Sequence, residues 1–196
     1  YLSALLRPAL PPREVEDFTA WVAVAVCDGI EACCGVRPQI KWTNDIILGG
    51  KKLVGILTEL GLESESNALE YLIPGIGINV NHRPEDFSPE IRDMATSLSQ
   101  QLGKPVSRVE LAAQVTLALD RMYAQFPQNK EEYLKKYRSD CLTPGHQVQL
   151  ITPTSREEAW AVEIDEEFRL VVEMPDGTRK ALSAGEVSVR GMYGYV

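Results

Sequence analysis

The stretch KWTNDIILGGKK, residues 41–52, brings several phosphate-compatible side chains close together in the chain. Lys41, Asn44 and Asp45 precede a short apolar run, and Lys52 follows it. An ammonium group neutralises phosphate charge, an amide orients its oxygens, and a carboxylate can hold Mg²⁺. The residue types therefore indicate a local anion site that suits a phosphate group.

Glycines follow at points where a ligand could approach the backbone. Gly55 interrupts the apolar run KLVGILTEL, and Gly75 and Gly77 lie in GIGIN, which ends at Asn79. A glycine within a strand leaves room for close approach. GIGIN lacks the spacing of a dinucleotide-binding loop and does not open a helix, so that function is rejected. We expect these glycines to line a slot.

Strand alternation predicts which side chains lie next to that slot. In an unbroken strand, Lys52 shares a face with Val54 and Ile56, while Gly55 opens on the other face. Lys52 is then expected at the edge of the gap, as a positive charge beside a polar ligand.

The pattern of apolar residues supplies the elements that hold these side chains. Helical spacing predicts two long helices, and a capping box of Ser107 and Glu110 starts the second. The Gly49-Gly50 pair predicts a hairpin. From Pro144, short alternating strands predict a small β-barrel. The predicted elements are strands 2–6, 38–42, 52–60 and 68–80 and helices 13–34, 107–126 and 130–138.

Charge and rare residues exclude several classes of site. The net charge of -8 disfavours nucleic-acid binding, and the C-terminal part is acidic as well. His82 and His146 lack metal or nucleophile spacing. The cysteines include no CxxC pair, which favours a reducing, cytoplasmic location. The sequence also shows no apolar run long enough to span a membrane and no signal peptide.

Three ordered motifs and the C-terminal tail resemble those of bacterial biotin protein ligases. KWTNDI, KKLVGILTEL and GIGINVN follow the family order Lys-Trp-Pro-Asn-Asp, Lys-x-x-Gly-Ile-Leu and Gly-x-Gly-x-Asn, and GEVSVRGMYGYV resembles the family's ending. The resemblance implies ATP-dependent formation of biotinyl-5′-AMP and transfer of biotin to a lysine of the biotin carboxyl carrier protein domain of acetyl-CoA carboxylase. It also allows a homodimer.

The resemblance implies an α+β fold with two domains. A mixed β-sheet with helices 13–34 and 107–126 on one face would form the biotin- and ATP-binding domain, residues 1–143. An SH3-like β-barrel would form residues 144–196. Glu186 and Arg190 match family positions near the junction, where a plain structural pair is an equal interpretation.

The same resemblance assigns roles to individual residues. Lys52 is the expected catalytic residue, because the family lysine contacts both the biotin carboxylate and the α-phosphate. Asp45 is also the expected ligand of Mg²⁺. Biotin would contact Lys52, Gly55, Ile56, Leu57, Gly75 and Gly77, and ATP would contact Lys41, Trp42, Asn44, Asp45, Asn79 and Ala95.

The chain departs from the family pattern in two places. A Gly/Arg-rich loop that folds over biotin and phosphate in the family is not found before the first strand, and the chain opens on Tyr1. We therefore expect these 196 residues alone to adenylate biotin poorly. Thr43 replaces the family proline, which restores a backbone N–H, and we expect a small effect.

Two other functions fit parts of the sequence. A lipoate ligase or octanoyltransferase shares the catalytic fold, although the Lys-Trp-x-Asn-Asp motif and the C-terminal strands favour biotin. A non-catalytic module that binds a carrier domain or dimerises is the third hypothesis. Biotin and lipoate binding distinguish the first two, and the sequence upstream of Tyr1 bears on the third.

Overall fold

Two antiparallel sheets and four α-helices make up the part of the chain that the computed structural model describes, residues 1–152, 154–183 and 188–191. For 188–191 the description covers the backbone. The predicted Glu186 lies outside the described residues, as does the side chain of Arg190.

The first sheet has the strand order β1-β5-β4-β3-β2, and the second has the order β10-β6-β7-β8-β9. The first comprises β1 (Leu2–Ser3), β2 (Gln39–Lys41), β3 (Asp45–Leu48), β4 (Lys51–Leu62) and β5 (Leu69–Ile78). The second comprises β6 (Gln147–Ile151), β7 (Arg156–Ile164), β8 (Leu170–Glu173), β9 (Arg179–Leu182) and β10 (Ser188–Gly191). The helices are α1 (Phe18–Cys34), α2 (Leu98–Leu102), α3 (Arg108–Gln125) and α4 (Lys130–Asp140), with 3₁₀ turns at Pro12–Val15 and Pro84–Asp86.

The predicted hairpin joins β3 to β4. Gly49 and Gly50 have φ angles of 59° and 73°, the left-handed pair that a tight two-residue hairpin turn requires. The pairing of β3 with β4 then shifts register between Ile46 and Ile47, so that Leu53 is the extra residue of a β-bulge. A bulge changes the alternation of side chains along its strand.

Helix α1 is buried on nearly all sides because its sequence is apolar all round. One side packs on β3 and β4, and the other packs on α3. Trp21 stacks on Tyr133 with ring centroids 4.3 Å apart, which adds α4 to the same core. Ser107 caps α3 by accepting from the backbone N–H of Glu110, which is one half of the predicted capping box.

Gly29 sets the approach of α1 to α3. A Cβ added there would lie 2.7 Å from the backbone Cα of Val115. We expect Gly29→Ala to lower the free energy of unfolding by about 2 kcal/mol, because overpacking against backbone outweighs the gain in helix propensity of about 1 kcal/mol. Urea unfolding measures this. Ala32→Gly, an exposed change in the same helix, calibrates the propensity alone, and an unchanged or raised stability of Gly29→Ala contradicts the close approach.

One fold prediction needs correction, and another stays open. The first sheet was expected to be mixed, but all its strand pairs are antiparallel, and parallel contacts occur as isolated bridges such as Lys52–Ala95. Hairpins join the successive strands from β2 to β5, which makes them antiparallel neighbours, and β1 also runs antiparallel to β5. The C-terminal strands were expected to form a barrel. Among the described residues they form a sheet with β9 and β10 at its ends and without a closing pair, so the barrel stays a prediction.

The boundary at residues 143–144 stays a prediction. Within the described residues, no helix is both long and apolar enough to span a membrane.

Candidate ligand-binding site

A cavity of about 840 Å³ opens on one face of the first sheet. It falls within the size range of small-molecule sites, about 300–1,000 Å³. Every residue predicted for biotin binding lines it: Lys52, Gly55, Ile56, Leu57, Gly75 and Gly77. Of those predicted for ATP, Asn44, Asp45, Asn79 and Ala95 line it too.

The floor of the cavity is the backbone of three glycines, Gly55, Gly75 and Gly77, on adjacent antiparallel strands. Gly55 pairs with Gly77, and Gly75 pairs with Leu57. A Cβ on Gly75 would meet the Leu57 carbonyl oxygen at 3.5 Å, an ordinary contact. The strands would therefore accept a side chain here, but the cavity would lose volume. A Cβ on Gly77 would lie 3.1 Å from the Tyr1 ring, so Tyr1 covers the glycine floor at that end.

Lys52 lies on the same side of the sheet as the glycine floor, contrary to the alternation expected from sequence. Its Nζ is 3.5 Å from the position a Gly55 Cβ would take, whereas Val54 and Ile56 are buried in the core. The cause is the bulge at Leu53, which inserts one residue between Lys52 and Val54. The lysine thus reaches the cavity.

Asp45 holds the Lys52 ammonium in place, with Nζ and Oδ1 2.5 Å apart. The Lys52 side chain is 37% exposed and that of Asp45 16% exposed, so the pair is open to solvent on its cavity side. Such a partly exposed pair contributes little to stability. The ion pair instead orients the lysine, because it fixes a positive charge at the end of the glycine floor.

Backbone bonds fix Lys52 and the neighbouring segment. The Lys52 N–H donates to the Met94 carbonyl, and the Thr96 N–H donates to the Lys52 carbonyl, at 2.8 and 2.9 Å. These bonds place Ala95 against Lys52 across an isolated parallel bridge. The segment 94–96 therefore forms one rim of the cavity.

The two asparagines are anchored differently. The Asn44 side-chain amide donates to the Ile56 carbonyl at 2.8 Å, and the Ile56 N–H donates back to the Asn44 carbonyl at 3.0 Å. Asn79 is held by its backbone, because its backbone N–H donates to the carbonyl oxygen of Leu53, the bulge residue, at 3.0 Å. Asn44 is thus locked to the strand that carries Gly55.

Lys41 and Trp42, both predicted to bind ATP, do not line the cavity. Both side chains are buried, at 8% and 5% exposure. The Trp42 indole N–H donates to the Phe168 carbonyl at 2.9 Å, so its only donor is used inside the protein. Trp42 is therefore turned away from the cavity, whereas Lys41 pairs across β2 and β3 with Asp45, which lines it.

The structure adds a loop that the sequence analysis missed. His82, Asp86, Phe87, Ser88, Ile91 and Met94 line the cavity opposite the glycine floor. His82 stacks on Phe87 with ring centroids 5.6 Å apart, and its buried Nδ1 has no hydrogen-bond partner among the described residues. The loop has no strand or helix periodicity, so only its prolines, Pro84 and Pro89, marked it in the sequence. Tyr1, Ser3 and Ile76 also line the cavity.

The described residues do not fit a protein-held Mg²⁺ ion. Mg²⁺ prefers octahedral oxygen coordination. Asp45 already accepts from Lys52, and no group of three or more His, Cys, Asp or Glu that could hold a metal occurs in the described part of the chain. A magnesium ion here would depend on oxygens supplied by the ligand.

Comparisons with known proteins show what this chain is similar to. Residues 1–79 match the model of the biotin/lipoate A/B protein ligase family. The bifunctional ligase/repressor BirA of Bacillus subtilis is 37% identical over 185 residues, which are 94% of this chain and 56% of that protein. The biotin--[acetyl-CoA-carboxylase] ligase of Mycobacterium tuberculosis is 29% identical over 168 residues, 84% of this chain and 59% of that protein.

The fold agrees with a solved structure. The biotin protein ligase of Aquifex aeolicus in complex with biotin and ATP superimposes with a TM-score of 0.80 at 28% identity, covering 96% of this chain and 77% of that one. The chain spans little more than half the length of the curated relatives, 56% and 59%.

Proposed function

We propose that this chain, whose residues 1–79 match the model of the biotin/lipoate A/B protein ligase family, binds biotin and ATP and joins them in biotinyl-5′-AMP. The main support for this proposal is the position of the Lys52 ammonium. It lies beside Gly55, at the end of the glycine floor and inside a cavity of about 840 Å³. The Aquifex aeolicus enzyme that binds biotin and ATP shares this fold.

In this proposal the apolar part of biotin lies on the glycine floor, and its carboxylate points to Lys52. The carboxylate oxygen attacks the α-phosphorus of ATP, a new C–O–P bond forms, and pyrophosphate leaves with the electrons of the broken P–O bond. Two anionic groups must approach each other, and negative charge builds on the phosphoryl oxygens. A fixed ammonium touching both groups lowers that barrier.

Asn44, Asn79 and Ala95 would form the nucleotide side of the site. Asn44 is held by two hydrogen bonds to Ile56, so its free amide positions are oriented before ligand binds. Ala95 lies beside Lys52 on the rim. Asp45 would orient the Lys52 ammonium, and Mg²⁺, if used, would enter bound to the phosphates of ATP.

The second step would transfer biotin to a lysine of a biotin carboxyl carrier domain. The carrier amine attacks the acyl carbon of the mixed anhydride, the C–O bond breaks, and AMP leaves. The Mycobacterium tuberculosis relative is named for acetyl-CoA carboxylase, which supports the carrier of that enzyme as the partner. An SH3-like C-terminal domain and a homodimer stay predictions from the sequence resemblance. All four cysteines are free thiols, which supports a reducing, cytoplasmic location.

Ligand-dependent melting of the protein expressed from its complete gene tests the proposal. Biotin is expected to raise the melting temperature, and biotin with ATP to raise it further, because ligands that bind the native state stabilise it. Lipoate at the same concentration is the control. A higher melting temperature with lipoate and an unchanged one with biotin would assign the chain to the lipoate ligases. An unchanged melting temperature with both ligands would contradict both the biotin and the lipoate function.

A further inference from the structure

Trp42 comes shortly before the cavity residues Asn44 and Asp45, and it is held by Phe168 in the turn between β7 and β8 of the second sheet. The Trp42 indole N–H donates to the Phe168 carbonyl at 2.9 Å, and the Trp42 backbone N–H donates to Thr143 Oγ1 at 2.9 Å. The Tyr137 hydroxyl donates to the Thr43 carbonyl at 3.1 Å. Thr143 is fully buried. Two consecutive residues are therefore tied to groups from α4 onward.

Phe168 is itself fixed in an uncommon conformation. Its φ is 57°, a region that bulky residues rarely adopt, and it is buried at 3% exposure. Its ring lies edge-on to Tyr137, with centroids 5.4 Å apart. The Asp165 side chain accepts from the backbone N–H groups of Glu167 and Arg169, which closes the turn around it. The carbonyl that Trp42 uses thus points in a direction set by this turn.

The tie continues directly into the cavity. Asn44 and Asp45 follow Thr43, and both line the cavity. Asn44 exchanges hydrogen bonds with Ile56, and Asp45 holds the Lys52 ammonium at 2.5 Å. A backbone shift at residues 42–43 therefore reaches the two side chains that orient the nucleotide side and the lysine.

We propose that Trp42 and Thr143 are positioning residues, through which the second sheet and its Phe168 turn set Asn44 and Asp45 in the cavity. This gives buried Trp42 a role without ligand contact. The effect on ligand binding rests on the proposed function, whereas the effect on the geometry of the empty cavity does not.

Thr143 offers a matched pair of variants. Thr143→Val keeps the shape of the side chain and removes the oxygen, which leaves the buried Trp42 N–H without its acceptor. Thr143→Ser keeps the oxygen and removes a methyl group. Trp42→Phe removes the indole donor, and Trp160→Phe, at a position 51% exposed on the second sheet, is its control.

Two readouts in the protein from the complete gene test the proposal. In ligand-free ¹H–¹⁵N spectra, Thr143→Val and Trp42→Phe are expected to shift the Asn44 side-chain amide and the Asp45 and Lys52 backbone amides, while Thr143→Ser and Trp160→Phe leave them near their wild-type positions. By calorimetry, ATP affinity is expected to fall about fivefold in the first two variants, the effect of losing roughly one net hydrogen bond.

Thr143→Val and Trp42→Phe could lower the melting temperature and leave the Asn44, Asp45 and Lys52 resonances unmoved. That result would show that these contacts only stabilise the fold, and it would overturn the proposal. Equal effects of Thr143→Ser and Thr143→Val would do the same, since packing alone would then explain them. If Trp42→Phe does not fold, the Thr143 pair decides by the same criteria. If the wild-type protein binds neither biotin nor ATP, the proposed function fails, and the ligand-free spectra still decide this inference.

Discussion

Lys52→Ala is expected to lower biotin-dependent ATP–pyrophosphate exchange by about 100-fold or more in the protein from the complete gene. Removing one group that stabilises transition-state charge costs about 3 kcal/mol, which is roughly that factor. The Lys52 ammonium lies beside Gly55 in the cavity, where both anionic reactants are proposed to meet. The exchange rate at saturating biotin and ATP is the measurement.

Lys51→Ala is the matched control, because this neighbouring lysine of β4 is absent from the cavity lining. It is expected to stay within about twofold of wild type, as surface substitutions away from special features usually do. Far-UV circular dichroism separates loss of function from loss of fold, since Lys52→Ala also leaves Asp45 without this partner. Equal exchange rates in the two variants would refute the role of Lys52.

Gly75→Val is expected to weaken biotin binding by about 30-fold or more with little change in stability. A Cβ at Gly75 meets the Leu57 carbonyl at 3.5 Å and Ser3 Oγ at 3.8 Å, so the strand accepts a side chain. The branched methyl groups then occupy the glycine floor, and a ligand forced against them loses about 2 kcal/mol, as in overpacked cores. Titration calorimetry with biotin measures the change.

Gly75→Ala provides a graded comparison and should lose less affinity than Gly75→Val. ATP affinity is an internal control, because the nucleotide is proposed to lie on the side of Asn44 and Ala95 rather than on the glycine floor. Unchanged biotin affinity in both variants would show that biotin does not rest on Gly75. A parallel loss of ATP affinity would show that the ligand sites were assigned to the wrong regions.

Local sequence signals predicted the parts of the site that are built within one hairpin. The Gly49-Gly50 pair predicted a tight hairpin turn with left-handed residues. The glycines of β4 and β5 indicated a slot, and that prediction did not depend on how the two strands pair. Lys52 lies beside the gap as expected, but its expected alternation with Val54 and Ile56 was wrong, because a bulge depends on pairing with β3 and leaves no mark in the spacing of residues 52–57. The pairing of Gly55 with Gly77 also needs the folded sheet.

The other differences from the sequence expectations come from contacts distant in the chain. Lys41 and Trp42 belong to a polar motif, and only the packing of α4 and the Phe168 turn shows that Trp42 points away from the cavity. The loop containing His82 and Phe87 has no periodic pattern, and hydrogen bonds such as Ser97 Oγ to the His82 carbonyl place it over the cavity. Such contacts follow from tertiary structure rather than from local propensity.

A crystal structure of the protein from the complete gene with biotin and an unreactive ATP analogue tests the central claim most directly. We expect Lys52 Nζ at hydrogen-bonding distance, about 2.7–3.2 Å, from both a biotin carboxylate oxygen and an α-phosphate oxygen. We also expect the apolar part of biotin over Gly55, Gly75 and Gly77. Ligands bound elsewhere, or a Lys52 ammonium that contacts neither anion and remains with Asp45, would contradict this claim.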